Sequence, residues 1–215
     1  MIKKKDFIEI EFTGKADGNI FDTNIKEQAK KINMNIEATP TVIIVGEGML
    51  IKGFDKALEG KEIGKKYKIS LSPKESFGER KREMIKTIPL SAFTEKQVNP
   101  QRGMTLLLDN QLVKIIAVSG GRVITDFNNP LSGKNIEYEF KIKRKITDEK
   151  EKISSLSKYF FKQELDFEVK DKILFKVDKK IAPFLDSFSD KFKKLVGKEI
   201  KVEEKNTEKE TSSKK

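Results

Sequence analysis

Residues 136–142 alternate without a break: Ile136, Tyr138, Phe140 and Ile142 are separated by Glu137, Glu139 and Lys141. A period of two marks a strand with one dry face and one wet face. A lone strand is not stable in water and must find neighbours. The stretch before it supplies none, because Pro89, Pro100, Gly120-Gly121 and Pro130 punctuate short apolar runs at Met104 to Leu108, Leu112 to Ile116 and Arg122 to Phe127. Those runs read as a small meander with a core of its own. The strand through Tyr138 is therefore expected to return to a sheet laid down earlier, which makes the first domain discontinuous.

The earlier sheet is legible in pieces. Ile8, Ile10 and Phe12 alternate with Glu9 and Glu11, and Asp17-Gly18 supplies a tight turn before Ile20 and Phe21. Thr23 to Thr39 is a polar excursion, read as a long loop or a short helix before a strand at Thr41 to Val45. Phe54, Ala57 and Leu58 give a short amphipathic turn of helix, Gly60 caps it, and Tyr67, Ile69 and Leu71 alternate as another strand.

After a charged connector, Asp148 and Glu151 stand at capping-box spacing ahead of Ile153, Leu156 and Phe160 on one helical stripe. Leu165, Phe167 and Val169 with Ile173, Phe175 and Val177 make a hairpin around Lys170-Asp171. Phe184, Leu185, Phe188, Phe192 and Leu195 then keep helical spacing up to Gly197, and Ile200 and Val202 close the unit as a strand. The expected domains are 1–83 with 129–148, an insert at 84–128, a small α+β unit at 149–205, and a disordered charged tail at 206–215.

Composition narrows the chemistry. The 215 residues contain no His and no Cys, which removes the usual general base, the thiol nucleophile and the commonest metal ligands. No cofactor and no metal are expected. The net charge is +11, but only five of the 45 basic residues are Arg and acids are interspersed throughout, the pattern of a solvated Lys/Glu surface rather than a nucleic-acid groove. The apolar run Val42 to Val45 stops at Gly46, far short of the roughly 20 residues that span a bilayer. No apolar segment follows the lysines at the start, so a cytoplasmic location is expected.

Three phrases stand in a recognisable order: Ile10-Glu11-Phe12-Thr13-Gly14 with Phe21-Asp22, then Gly46 to Phe54 with Leu50-Ile51-x-Gly53-Phe54, then Ser72-Pro73 to Phe77-Gly78. Together they resemble the FKBP-type peptidyl-prolyl cis-trans isomerases. The insertion after Phe77-Gly78, followed by Asn129-Pro130-Leu131-Ser132-Gly133 and the strand through Tyr138, is similar to the SlyD branch, in which an insert-in-flap domain replaces a short flap. The further C-terminal domain resembles the long archaeal members. The resemblance implies an α+β fold: an FKBP-like antiparallel half-barrel sheet around a short helix, an inserted small β-rich flap domain and a C-terminal α+β domain.

The resemblance also implies a proline pocket lined by Phe12, Phe21, Asp22, Leu50, Ile51, Phe54, Phe77 and Tyr138, with Leu131 on the remaining flap, Phe54 as its floor and the backbone N–H of Ile51 as an anchor for a substrate carbonyl. Taken singly, Phe12, Leu50 and Tyr138 each read as core by about three to one; only their joint order favours a site. Gly46-x-Gly48 is a weak hint of a phosphate loop, since no Lys-Ser/Thr signature or long helix follows. Phe12 and Phe77 stand where the family commonly has Tyr, and Phe54 where other members have Trp, which implies reduced activity and a roomier pocket. The Lys/Glu/Ser/Thr tail lacks the metal-binding His of the SlyD branch.

Met84, Phe93, Met104, Leu106 and Leu108 have two readings, a sticky chaperone surface or simply the core of the insert, and the core is favoured about two to one. The expected activity is isomerisation at proline with holdase-type chaperoning of unfolded or proline-containing polypeptides. The alternative is a binding-only chaperone or assembly module that keeps the fold with little catalysis. A homodimer through the C-terminal domain is one of three roles left open for that domain.

Overall fold

The computed structural model describes residues 1–33, 41–178 and 180–204. The expected tail at 206–215, and the part of the polar excursion from 34 onward, lie outside them.

Three sheets carry the fold. The first begins with β1 (Phe7–Ala16), β2 (Asn19–Thr23), a short α1 (Lys26–Lys31), β3 (Thr41–Ile44), α2 (Lys52–Ala57) and β4 (Lys66–Leu71). The second is built from β5 (Ile85–Pro89), the helical turn α3 (Ser91–Thr94), β6 (Thr105–Leu108), β7 (Gln111–Ser119) and β8 (Arg122–Asp126). The long β9 (Ile136–Ile146) then returns to the first sheet, where it pairs antiparallel with β1 along one edge and β4 along the other. The third unit follows as α4 (Glu149–Phe161), β10 (Asp166–Val169), β11 (Ile173–Val177), α5 (Ala182–Ser187), α6 (Ser189–Val196) and β12 (Ile200–Glu204).

The strand β1 shares its second edge between two neighbours. Phe7 to Ile10 pair with β3 and Thr13 to Ala16 with β2. At the gap the side chain of Asn24 stands in for a strand: Phe12 N–H donates to its Oδ1 at 2.7 Å and its Nδ2 donates to the Ile10 carbonyl at 2.7 Å. This satisfies backbone groups that would otherwise be orphaned where two strands part. Asp17 and Gly18 both take positive φ, +50° and +78°, the geometry of a two-residue hairpin turn whose twist matches its strands.

The dry faces of these strands, with Phe54 and Leu58 of the α2 region, form one core around Ile8, Ile10, Ile43, Ile136, Phe140 and Ile142. The insert sheet runs β5-β8-β7-β6 over a much smaller core of Phe93, Ile115 and Val123. The strand β5 and the turn α3 carry no clear periodicity and had not been anticipated as elements. Its neck is closed by Asn128, which accepts from Lys81 N–H and donates to the Lys81 carbonyl, both at 2.9 Å.

The C-terminal unit departs from expectation in one respect. Phe184 to Leu195 is not one helix but two, with Phe188 at the junction, and Phe184 is turned out at 65% exposure while Leu185 is buried. Pro183 opens the first helix, where its missing N–H costs nothing. The strand β12 pairs parallel with β11, which the crossover through α5 and α6 makes possible. Asp148 caps α4 by accepting from Glu151 N–H at 2.8 Å. The Glu151 carboxylate does not complete a capping box; it meets Arg144, which also donates to Glu9 at 2.7 Å. Phe7, Ile44 and Ile146 of the first sheet join the core of the C-terminal unit, so α4 is seated on the end of that sheet by shared burial as well as by charge. Among the described residues no helix is long and apolar enough to cross a membrane.

Candidate active site

The nine sequence-predicted pocket residues come from seven separate segments of the first domain. Phe12 comes from β1, Phe21 and Asp22 from β2, Leu50 and Ile51 from the loop entering α2, Phe54 from α2, Phe77 from the turn after β4, Leu131 from the turn before β9, and Tyr138 from β9. Five rings form a continuous group. Phe54 stacks on Tyr138 with centroids 4.3 Å apart and meets Phe12 edge-on at 5.8 Å. Tyr138 meets Phe12 at 6.0 Å and Phe21 at 5.9 Å, and Phe21 meets Phe77 at 5.7 Å. These separations and tilts suit the ring quadrupoles.

Phe54, at 1% exposure, is the most deeply buried ring of the group, while Phe21, Leu50, Ile51, Phe77 and Leu131 are half-buried around it. The two loops on that rim are tied together: Ser132 Oγ donates to the Phe77 carbonyl and Gly133 N–H to the Gly78 carbonyl, each at 2.9 Å. Together these side chains make one apolar group, the cup, buried at its base and bordered by half-buried residues of three loops.

Two polar groups face this cup. Burial pushes the Asp22 carboxyl above its ordinary value, opposed only in part by the backbone N–H of Thr23. Burial, and next the Asp22 charge, push the Tyr138 phenol up as well, so it remains a neutral donor. Its hydroxyl makes no hydrogen bond among the described residues. Nor does the backbone N–H of Ile51, which lies at the N-cap of α2. The titratable side chains beside these rings are thus a carboxyl whose charge burial disfavours and a phenol that stays neutral.

Two residues that hold this geometry were not singled out in the sequence. Asp55, buried at 7% exposure, accepts from Gly46 N–H at 2.8 Å and Gly48 N–H at 3.0 Å. Its carboxylate fills the backbone nest that a phosphate would need, which disposes of the nucleotide reading, and it pins the loop that carries Leu50 and Ile51. Gly14 lies directly across from Tyr138 in the sheet. A Cβ there would sit 2.7 Å from Tyr138 Cε1 and 2.9 Å from Phe21 Cζ. A glycine in the interior of an alternating strand is the available sequence signal of such a close approach.

The insert residues divide. Phe93 is buried at 2% exposure and belongs to the core of the insert, which corrects its inclusion among surface residues. Leu106 and Leu108 pack half-buried against the same core. Met84 is also half-buried, and only Met104 of the five is exposed, at 39%. The exposed apolar side chains of this sheet are instead Leu107, Leu112, Val118 and Ile124, so of the two readings the packing supports the core for Phe93, Leu106 and Leu108.

Comparison with known proteins shows the family. The sequence profile described as FKBP-type peptidyl-prolyl cis-trans isomerase matches residues 1–94, and one described as FKBP26, IF domain matches residues 86–131. A short-type peptidyl-prolyl cis-trans isomerase of Methanocaldococcus jannaschii is 34% identical over 146 residues, covering 66% of this chain and 93% of the relative. The FKBP-type isomerase SlyD of Helicobacter pylori is 27% identical over 146 residues, 66% of this chain and 72% of its own length. SlyD of Escherichia coli is 29% identical over 112 residues, 49% of this chain and 55% of its own. None of these three matches spans more than two thirds of the chain, yet the first relative is matched over almost its whole length: the chain belongs to the FKBP-type peptidyl-prolyl cis-trans isomerases.

Proposed function

We propose that the cup rotates X-Pro bonds in unfolded polypeptides, and that the insert holds the client while it does so. The observation that carries this reading is the unbroken packing of Phe12, Phe21, Phe77 and Tyr138 around Phe54, bordered by half-buried apolar side chains. An X-Pro amide resists rotation by about 18–20 kcal/mol because resonance keeps it planar, and twisting it removes that resonance and part of its polarity. A water-poor cup favours the less polar, twisted form over the planar one, which is differential binding of the transition state. Such a reaction needs no His or Cys, and the chain has neither.

The pyrrolidine ring fits against Phe54, with Ile51 N–H donating to a flanking carbonyl so that one side of the bond is held while the other turns. Tyr138, at the base, takes over a hydroxyl role that Phe12 and Phe77 cannot fill. The exposed apolar face of the insert, Leu107 and Leu112 foremost at 64% and 50% exposure, suits capture of unfolded chains, and capture raises the local concentration of prolines at the cup.

A protease-free isomerisation assay on a proline tetrapeptide tests the reading. Wild type accelerates exchange, and Phe54→Ala loses most of that acceleration while the insert keeps its fold. Wild-type turnover in Phe54→Ala refutes the pocket. Client binding without any isomerisation by wild type would favour the binding-only alternative.

A further inference from the structure

The catalytic reading accounts for the cup but leaves the face between the first sheet and helix α4 without a role. A groove of about 600 Å³ runs there, within the ~300–1,000 Å³ usual for ligand clefts. Its floor on the sheet side is apolar, from Val42, Ile43 and Met49, and it ends on Phe12 and Leu50, which are also cup residues. The groove and the cup thus share two lining residues.

The opposite wall is the exposed side of α4, with Ser155, Lys158 and Tyr159. Tyr159 is half-buried, its ring carries the Lys162 ammonium 5.1 Å from the centroid, and its hydroxyl makes no hydrogen bond among the described residues. The one acid of the wall, Glu151, is already neutralised by Arg144, and Lys158 lies 3.1 Å from Glu164. This leaves an apolar trough with a spare phenol donor at its edge. The wall is held in place, since Arg144 spans Glu9 and Glu151 and Phe7, Ile44 and Ile146 are buried against the C-terminal unit.

We propose that this groove is an extension of the proline site: it takes an extended apolar segment of the same polypeptide whose proline sits in the cup, with Tyr159 donating to a backbone carbonyl of that segment. The inference rests on the isomerase reading, because the cup fixes where the groove begins. A chain held at its proline must leave the cup along the surface, and the shared residues Phe12 and Leu50 make the groove a continuous exit. The C-terminal unit then contributes to substrate choice rather than standing apart from it.

The test uses the full chain, a proline tetrapeptide, and the same peptide lengthened by a short apolar stretch on its N-terminal or its C-terminal side. Wild type is expected to favour one of the lengthened peptides in kcat/KM. Ser155→Trp, which fills the groove, is expected to abolish that preference, a loss of roughly tenfold or about 1.4 kcal/mol, with tetrapeptide turnover unchanged. No preference for either lengthened peptide, or an equal loss on all three substrates, overturns the proposal. Tyr159→Trp gives a readout independent of turnover, because the chain contains no other Trp. Its emission is expected to shift with a lengthened peptide and not with the tetrapeptide. No shift with any peptide overturns the proposal, as does a concentration-dependent shift without peptide, which would assign the groove to a second copy. If wild type turns over no tetrapeptide the isomerase reading fails, and the emission experiment still decides whether the groove binds chain.

Discussion

Replacing Gly14 by Ala isolates the geometry of the cup from its composition, since every ring is kept and only its placement is disturbed. The new methyl would stand 2.7 Å from Tyr138 Cε1, 3.1 Å from Tyr138 Cζ and 2.9 Å from Phe21 Cζ. Carbon pairs settle at about 3.5–4.0 Å, so the Tyr138 ring must retreat by roughly 0.8 Å. It has little room to do so, because it is already stacked on Phe54 at 4.3 Å and Phe54 is itself packed on Phe140 at 5.1 Å. Overpacking of this kind costs about 1–3 kcal/mol of stability. The effect on rate is the more telling one, as misplacement of a reacting geometry by about 1 Å can cost up to about a hundredfold. A protease-free isomerisation assay with a parallel thermal melt is expected to show a loss of about ten- to a hundredfold in kcat/KM, with the protein still folded. Gly18→Ala is the control from the same hairpin: φ is +78° there and nothing lies within 4 Å of the added methyl. It costs about 1–2 kcal/mol for a left-handed residue with a side chain and leaves turnover alone. Gly14→Ala with unchanged turnover, or Gly18→Ala with an equal loss, would refute the claim that ring placement governs activity.

Removing residues 84–128 and joining Glu83 to Asn129 is expected to spare tetrapeptide isomerisation and to slow proline-limited refolding of a protein substrate by at least about tenfold; equal losses in both assays would contradict the division of labour. Asp22→Asn is expected to raise the melting temperature near neutral pH. The sign follows from the raised carboxyl: the folded state holds the proton more tightly, so stability falls as pH rises from the ordinary value of 3.8 through the folded one, and the charge opposes folding above it. The gain in Asp22→Asn should fade as pH drops below 3.8, and an undiminished gain there would show that charge is not its cause. Asp55→Ala strips the Gly46 and Gly48 N–H groups of their partner and is expected to cost about 1.5–3 kcal/mol and to lower turnover by loosening the loop of Leu50 and Ile51; a melting temperature within a degree or so of wild type would refute that role.

Much of this protein is written in local patterns. Alternation at Ile8 to Phe12 and at Ile136 to Ile142, the Asp17-Gly18 turn and the Asp148 cap are each decided by a few neighbouring residues, because strand faces, turns and caps depend on short-range sterics and on nearby hydrogen bonds. The proposed cup residues came from a different source, the resemblance carried by the order of three short phrases, and the fold brings their rings into contact. What the sequence left open was everything set by distance along the chain. Phe93 and Leu107 are both apolar residues of one insert, and only the packing of that sheet turns one in and the other out. The role of Asp55 depends on two amide groups that a loop brings back to it, and that of Gly14 on a ring that arrives from β9, more than a hundred residues later. The parallel pairing of β12, the split at Phe188 and the groove against α4 likewise come from contacts between remote segments, whose energies no local periodicity encodes.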